Sequence, residues 1–260
     1  IEAMKAGKHV VVEKPMATSL KDADRMIACS KRTGKYLTVF QNRRYDASFV
    51  RVKKVIDSGV LGRIVMVRIG GYNFSRRWDW QTLKKHKGGT LNNTGPHVID
   101  QALQLFGKGS PGVFCIREKA LTLGDAEDHV KLTLYGRSAP SVEVEVSSAC
   151  AYGQDNWLVM GTLGGLHGTL KNLEWKYINP RRLPRRKVDE NPTADRTYNR
   201  ETYDFIEKSW NIDEDGSPGE KGFYLDLYRT LRQGRPMVIT PESVRRQMRV
   251  LEQCRRMAPV

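Results

Sequence analysis

Two short apolar runs joined by one helix decide what the first part of this chain can become. Val10–Glu13 is a brief β-branched run bounded by turn signals and reads as a buried strand. Ser19 is placed to cap a helix, with Asp22 three residues on. Leu20, Ala23, Met26 and Ile27 keep helical spacing, Lys31 and Arg32 suit the negative end of the helix dipole, and Gly34 stops it. Tyr36–Phe40 is a second apolar strand. Strand, helix and strand within about 30 residues form a βαβ unit, whose two strands lie parallel in one sheet. Residues 1–7 read as the last turns of a preceding helix closed by Gly7, so the sequence is expected to enter partway into a parallel α/β unit.

The pattern changes downstream. A helix is expected over Ala47–Ser58 and another over Pro96–Phe106. Strand-like runs follow at Ile64–Tyr72, Val113–Lys119, Val130–Tyr135, Val142–Ala149, Trp157–Gly161 and Leu173–Ile178, joined by short Gly-, Pro- and Asp-rich links. Such spacing favours an antiparallel sheet. "GTLGGLHG" at 161–168 reads as a glycine-rich turn, and 180–197 as a polar loop. The tail reads as three helices, Tyr198–Trp210, Phe223–Arg232 and Pro241–Arg256, the last with Thr240 as N-cap and Pro241 at N1. The expected fold is therefore α/β plus α+β. A partial parallel unit over 1–46 precedes a domain over 47–260 with a large open, mainly antiparallel sheet and helices on one face.

Lys+Arg 44 against Asp+Glu 29 gives a net charge of +15, which admits nucleic acid, an anionic surface or an anionic small molecule as partner. No aromatic-interleaved basic platform or recognition-helix motif appears, so nucleic acid is not expected. The longest apolar run is far below the roughly 20 residues that span a bilayer. Cys29, Cys115, Cys150 and Cys254 are far apart and form no CxxC, which points away from zinc or a disulfide framework and toward reduced thiols in the cytoplasm.

Two constellations carry chemistry. In open parallel sheets ligands bind at the C-terminal ends of strands, and Lys14 sits at such an end, next to Glu13 and before Pro15. Its ammonium there could hold a substrate hydroxyl, or it could be a solvated loop lysine. Pro15 fixes the turn and could follow a cis bond. The second is "KGGTLNNTGPHVIDQ", 87–101. Asn93 and His97 are four apart and share a face at a helix start. His97 is suited to move a proton near neutral pH, although a capping Asn93 and a packed His97 would give the same pattern. Tyr72, Arg76, Arg77, Trp78 and Trp80 form an Arg/aromatic stretch able to clamp a sugar, or simply to pack.

"AMKAGKHVVVEKPMATSLKDADRMIACSKRTGKYLTVFQNRRYDASF", "KKVIDSGVLGRI", "GGTLNNTGPHVIDQ", "EDHVKLTLYG" and "GFYLDLYRTLRQGRPMVITPESVRRQMRVLEQ" together resemble the glucose–fructose oxidoreductase / inositol dehydrogenase / MocA family of NAD(P)-dependent oxidoreductases. The resemblance implies a Rossmann domain followed by an α/β domain whose open sheet carries homo-oligomer contacts. It implies catalytic roles for Lys14, which touches substrate and nicotinamide ribose, and for His97, the proton acceptor. Glu13, Lys14, Pro15 and Gln41 would lie at the cofactor, and Asn93, Arg44 and Trp78 at the substrate, a sugar or polyol that could be anionic; no metal is implied. Two departures stand out. Asn93 replaces the family's aspartate and cannot carry negative charge toward a protonated His97. The family's opening G-x-G-x-x-G strand–turn–helix is not found ahead of Val10, so the expectation is an N-terminally truncated oxidoreductase with impaired NAD or NADP binding. The competing expectation is a non-catalytic assembly protein of the same descent, using its sheet or its basic surface.

Overall fold

The computed structural model describes residues 1–193, 195–214 and 219–257. Helix α1 (Glu2–Lys5) runs through Gly7, whose φ of 79° suits glycine, into β1 (Val10–Val12). Helix α2 (Leu20–Thr33) follows. Ser19 caps it by accepting from the Asp22 amide at 3.1 Å, and Gly34 ends it in the left-handed region. β2 (Leu37–Val39) then pairs parallel to β1, Val10 opposite Leu37. The βαβ reading holds.

Helix α3 (Ala47–Asp57) leads to β3 (Ile64–Tyr72); α4 (Thr90–Asn93) and α5 (Gly95–Phe106) precede β4 (Gly112–Glu118), β5 (His129–Tyr135) and β6 (Ser141–Ser147). Then come β7 (Trp157–Gly161), β8 (Gly164–Gly168), β9 (Asn172–Ile178) and β10 (Phe205–Asn211), and finally α6 (Lys221–Gln233) and α7 (Pro241–Met257). Strands β3–β10 form one eight-stranded sheet in the order β10-β9-β8-β7-β3-β6-β5-β4. All neighbours are antiparallel except the interior pair β3–β6, which is parallel.

Alternation decides the faces. Val113 and Cys115 of β4, Val130, Leu132 and Leu134 of β5, Val142 and Val144 of β6, and Trp157 and Val159 of β7 are buried. They pack under α5 and α7, which bury Val98, Ile99, Ala102, Leu103, Val244, Met248 and Leu251. On the opposite face Val65, Phe114, Ile116 and Met160 stay exposed, so the sheet is open on one side.

Two readings are corrected. Residues 205–211, which overlap the second half of the expected helix Tyr198–Trp210, are the edge strand β10. Full antiparallel pairing with β9, Trp210 opposite Leu173, satisfies a backbone that local spacing alone assigned to helix, and its aromatic and β-branched residues suit a pleated surface. The glycine-rich 164–168 is not a turn but strand β8. Its glycines allow close approach, since a Cβ on Gly164 would fall 2.1 Å from the Lys176 carbonyl oxygen.

Helix α7 ties the two-stranded and eight-stranded parts together. Thr240 caps it, accepting from the Ser243 amide at 3.1 Å. Arg245 pairs with Asp24 of α2, and the Ile239 carbonyl accepts from the Thr38 hydroxyl of β2 at 2.8 Å. Among the described residues no helix is long and apolar enough to cross a membrane, and the four cysteines are unpaired.

Candidate active site

β1 ends at Val12, and the chain turns through Glu13 and a cis Lys14–Pro15 bond. Lys14 is half-buried. Its Nζ donates to the Asn93 carbonyl at 2.8 Å and lies 3.4 Å from Asn93 Oδ1, joining positions 79 apart in sequence. Burial lowers the Lys14 ammonium from its ordinary value, Arg43 adds to this, and Glu13 opposes it.

Asn93 is not a helix cap. It closes the single turn α4, Thr94 breaks the axis, and α5 starts at Gly95-Pro96 with His97 in its first turn. Asn93 Nδ2 donates to Gln81 Oε1 at 3.2 Å. His97 is only 8% exposed, and its Nδ1 is buried with no hydrogen-bond partner. Burial first, then the charges of Arg43 and Lys14, hold the His97 imidazole down to about 3, so it is neutral at physiological pH. A buried ring nitrogen without a protein partner costs free energy.

Lys14 and Asn93 open onto a cleft of about 640 Å³. Its other walls are Pro15–Thr18 after β1, the 80–88 segment, Asn92 of α4, Arg117 of β4, Glu127 and Arg255 of α7. Gly88 and Gly89 let the 80–88 segment lie flat against the helix start: a Cβ on Gly88 would sit 2.1 Å from the Gln81 carbonyl oxygen, and one on Gly89 2.6 Å from Glu127 Oε1. Glu127, 4% exposed, accepts from the Leu91 amide at 3.0 Å and pairs with Arg117 at 3.4 Å.

The expected site residues divide. Lys14, Pro15 and Asn93 line this cleft; Glu13 and His97 do not line it, although each is close enough to Lys14 for their charges to act on one another. Gln41 does not reach it. It is 1% exposed and donates to Gln247 Oε1 at 3.0 Å, while Gln247 Nε2 donates to the Pro96 carbonyl, so it braces β2 against α7 and α5. Arg44 does not reach it either. Its guanidinium grips Asp100 at 2.6 and 2.7 Å and Ser243 at 3.0 Å. Trp78 is 78% exposed and outside the cleft, and Arg77 is spent on Asp79 and Gln81. The neighbouring Trp80 does line it, with its ring edge-on to His86 at 6.2 Å. Sequence reasoning missed Arg43, Gln81, Arg117, Glu127 and Arg255. Glu127 carried a legible signal, an acidic pair with Asp128 immediately before a β-branched strand; Arg117 and Arg255 carried none.

The model of the "GFO/IDH/MocA C-terminal domain" matches residues 49–167, and that of the "Oxidoreductase family, NAD-binding Rossmann fold" matches residues 1–41. The chain is 36% identical over 141 residues to scyllo-inositol 2-dehydrogenase (NADP(+)) IolW of Bacillus subtilis, a match covering 52% of this chain and 38% of that protein. It is 32% identical over 160 residues to inositol 2-dehydrogenase of Salmonella paratyphi B, covering 60% and 45%. The chain thus spans less than half the length of these relatives. An NAD-binding protein from Listeria innocua shares the fold with a TM-score of 0.79 at 22% identity, over 98% of this chain and 74% of that one. With both family models placed in order along it and the fold matched throughout, the chain belongs to the GFO/IDH/MocA oxidoreductase family.

Proposed function

We propose that this chain carries the substrate side and the nicotinamide-facing edge of an NAD(P)-dependent oxidoreductase acting on a hydroxyl-bearing carbon of a sugar or polyol. The observation that carries the reading is the pairing of Lys14 Nζ with Asn93, 2.8 Å away, one turn before an imidazole whose Nδ1 has no partner. Residues 1–46 form the cofactor-side unit and 47–260 the substrate unit, a division supported by the limits of the two family matches. Chains associate through the open face of the sheet, where Phe114, Ile116 and Met160 are exposed.

The residues fit the nicotinamide end of the cofactor, since β1 ends at the cleft and the turn through Lys14 supplies a donor there. They do not offer a phosphate cradle. The segments opening α2 and α3, residues 13–19 and 40–46, contain no glycine. Binding of NAD(P) by the 260 residues alone is accordingly weak, and calorimetry giving micromolar affinity would refute that point.

Bound NAD(P) supplies the hydride acceptor. Lys14 donates a hydrogen bond to the substrate hydroxyl and favours loss of its proton. The neutral His97 takes that proton, and Asn93 orients a neighbouring hydroxyl. With cofactor saturating and reduced-nicotinamide fluorescence as readout, Lys14→Met and His97→Asn are expected to lower kcat by about 10²–10⁴. Turnover equal to the parent chain in either variant removes the assigned role.

A further inference from the structure

The cleft has a charge imbalance that a neutral sugar does not explain. Lys14, Lys87 and Arg255 line it, together with Lys84, Arg117 and His86, and among the described residues the one carboxylate in that lining is Glu127. That carboxylate is buried and already committed to the Leu91 amide and Arg117. Arg255 reaches in from α7, and its acceptors among the described residues are neutral, Asn92 Oδ1 at 2.7 Å and the Thr18 carbonyl at 3.5 Å. Burial, with Arg117 close by, lowers its guanidinium from the ordinary value, while Glu127 and Glu252 partly offset this. Lys87 is exposed at the mouth, and among the described residues it forms no ion pair. Its backbone sits at φ 56°, a conformation that favours glycine or asparagine, yet a lysine stands there, beside Gly88.

We infer that the substrate carries an anionic group, carboxylate or phosphate, which seats between Arg255 and Lys87 while the reacting hydroxyl lies at Lys14. The guanidinium offers a planar fork that suits both anions, and Lys87 adds a mobile point charge at the entrance. The Arg76–Arg77 stretch does not serve this purpose, because Arg77 is held by Asp79 and Gln81. The inference rests on the reading of the cleft as a substrate site, and it commits to a charged ligand on a small polyhydroxylated skeleton.

Calorimetry on the full chain tests it with glucose, glucuronate, glucose 6-phosphate, inorganic phosphate and NADP as probes. At least one charged sugar, or phosphate itself, is expected to bind at least about tenfold more tightly than glucose. Arg255→Gln and Lys87→Gln are each expected to erase that advantage, and Lys87→Gln to leave glucose binding unchanged. Lys87 is exposed, so its variant keeps the test valid if loss of Arg255 perturbs α7. Equal affinities for charged and neutral probes, no binding of any anion, or an advantage that survives both substitutions overturns the inference. An advantage confined to NADP also overturns it and assigns the basic wall to the dinucleotide. If anions bind through Arg255 and Lys87 but Lys14→Met leaves turnover unchanged, the anion site stands and the dehydrogenase reading falls.

Discussion

Removing Arg44 should destabilise the protein far more than it alters catalysis. The Arg44–Asp100 pair is two-pronged, at 2.6 and 2.7 Å, with side chains 8% and 2% exposed, and Ser243 of α7 takes the remaining donor at 3.0 Å. Arg44→Ala leaves the Asp100 carboxylate uncompensated inside α5, a loss of about 3–5 kcal/mol. For a chain of this size that corresponds to a fall in Tm of roughly 6–20 °C. The Lys53–Asp57 pair of α3 is the control. Its side chains are 42% and 58% exposed, so Lys53→Ala should cost only about 0.2–1 kcal/mol. Replacing both buried partners, Arg44→Met with Asp100→Leu, should restore most of the loss, because the desolvation cost of two charges disappears with them. Urea denaturation of the four proteins measures all of this. An Arg44→Ala variant no less stable than Lys53→Ala, with its defect confined to KM, would refute the structural assignment and return Arg44 to the substrate.

Gly88→Ala brings a Cβ to 2.1 Å from the Gln81 carbonyl oxygen, which is backbone and cannot rotate away. The 80–88 wall must shift, costing about 1–3 kcal/mol; a thermal melt within error of the parent contradicts the packing described. His97 and Asp46 make opposite contributions to stability below neutral pH. The folded His97 resists protonation until about 3 while an unfolded one takes a proton near 6.5, so its share of stability is complete above 6.5 and drains as pH falls toward 3. Burial raises Asp46 from 3.8 to about 6, so the folded state holds the extra proton and its share is lost as pH rises across that interval. Urea midpoints measured across this range should therefore show His97→Asn losing less stability on acidification than the parent, and Asp46→Asn losing less as pH rises from about 4 to 6. Differences from the parent that stay constant with pH count against both.

Much of the fold was legible because its signals are local. Ser19 with Asp22, Gly34, and Thr240 with Pro241 fix helix ends through contacts spanning only a few residues. β10 was not legible, because Phe205–Asn211 becomes a strand only when β9, some thirty residues earlier, offers its edge. The site divides along the same line. Lys14, Asn93 and His97 announce themselves by residue type at a strand end and a helix start. Arg44 misled because a cation near a strand end looks available for ligand. The signal against it was Asp100, an acid in the apolar run of α5 three residues past His97, which had to find a buried cation.

What positions the chemistry is remote from it in sequence. Gln247 is fully buried, receives the Gln41 amide from the end of β2 and donates to the Pro96 carbonyl beside His97. Arg245 binds Asp24 of α2, and Arg255 reaches both Thr18 and Asn92. Helix α7 thus fixes the parallel unit that carries Lys14 against the helix start that carries Asn93 and His97. A lysine at the tip of a three-residue strand would otherwise swing with its loop, and a histidine in a first helical turn with that turn. Because each of these contacts spans more than 150 residues, with the arginine to Asp24 spanning 221, neither motif by itself contains the geometry that brings them together. That arrangement belongs to the helix that holds the two motifs together.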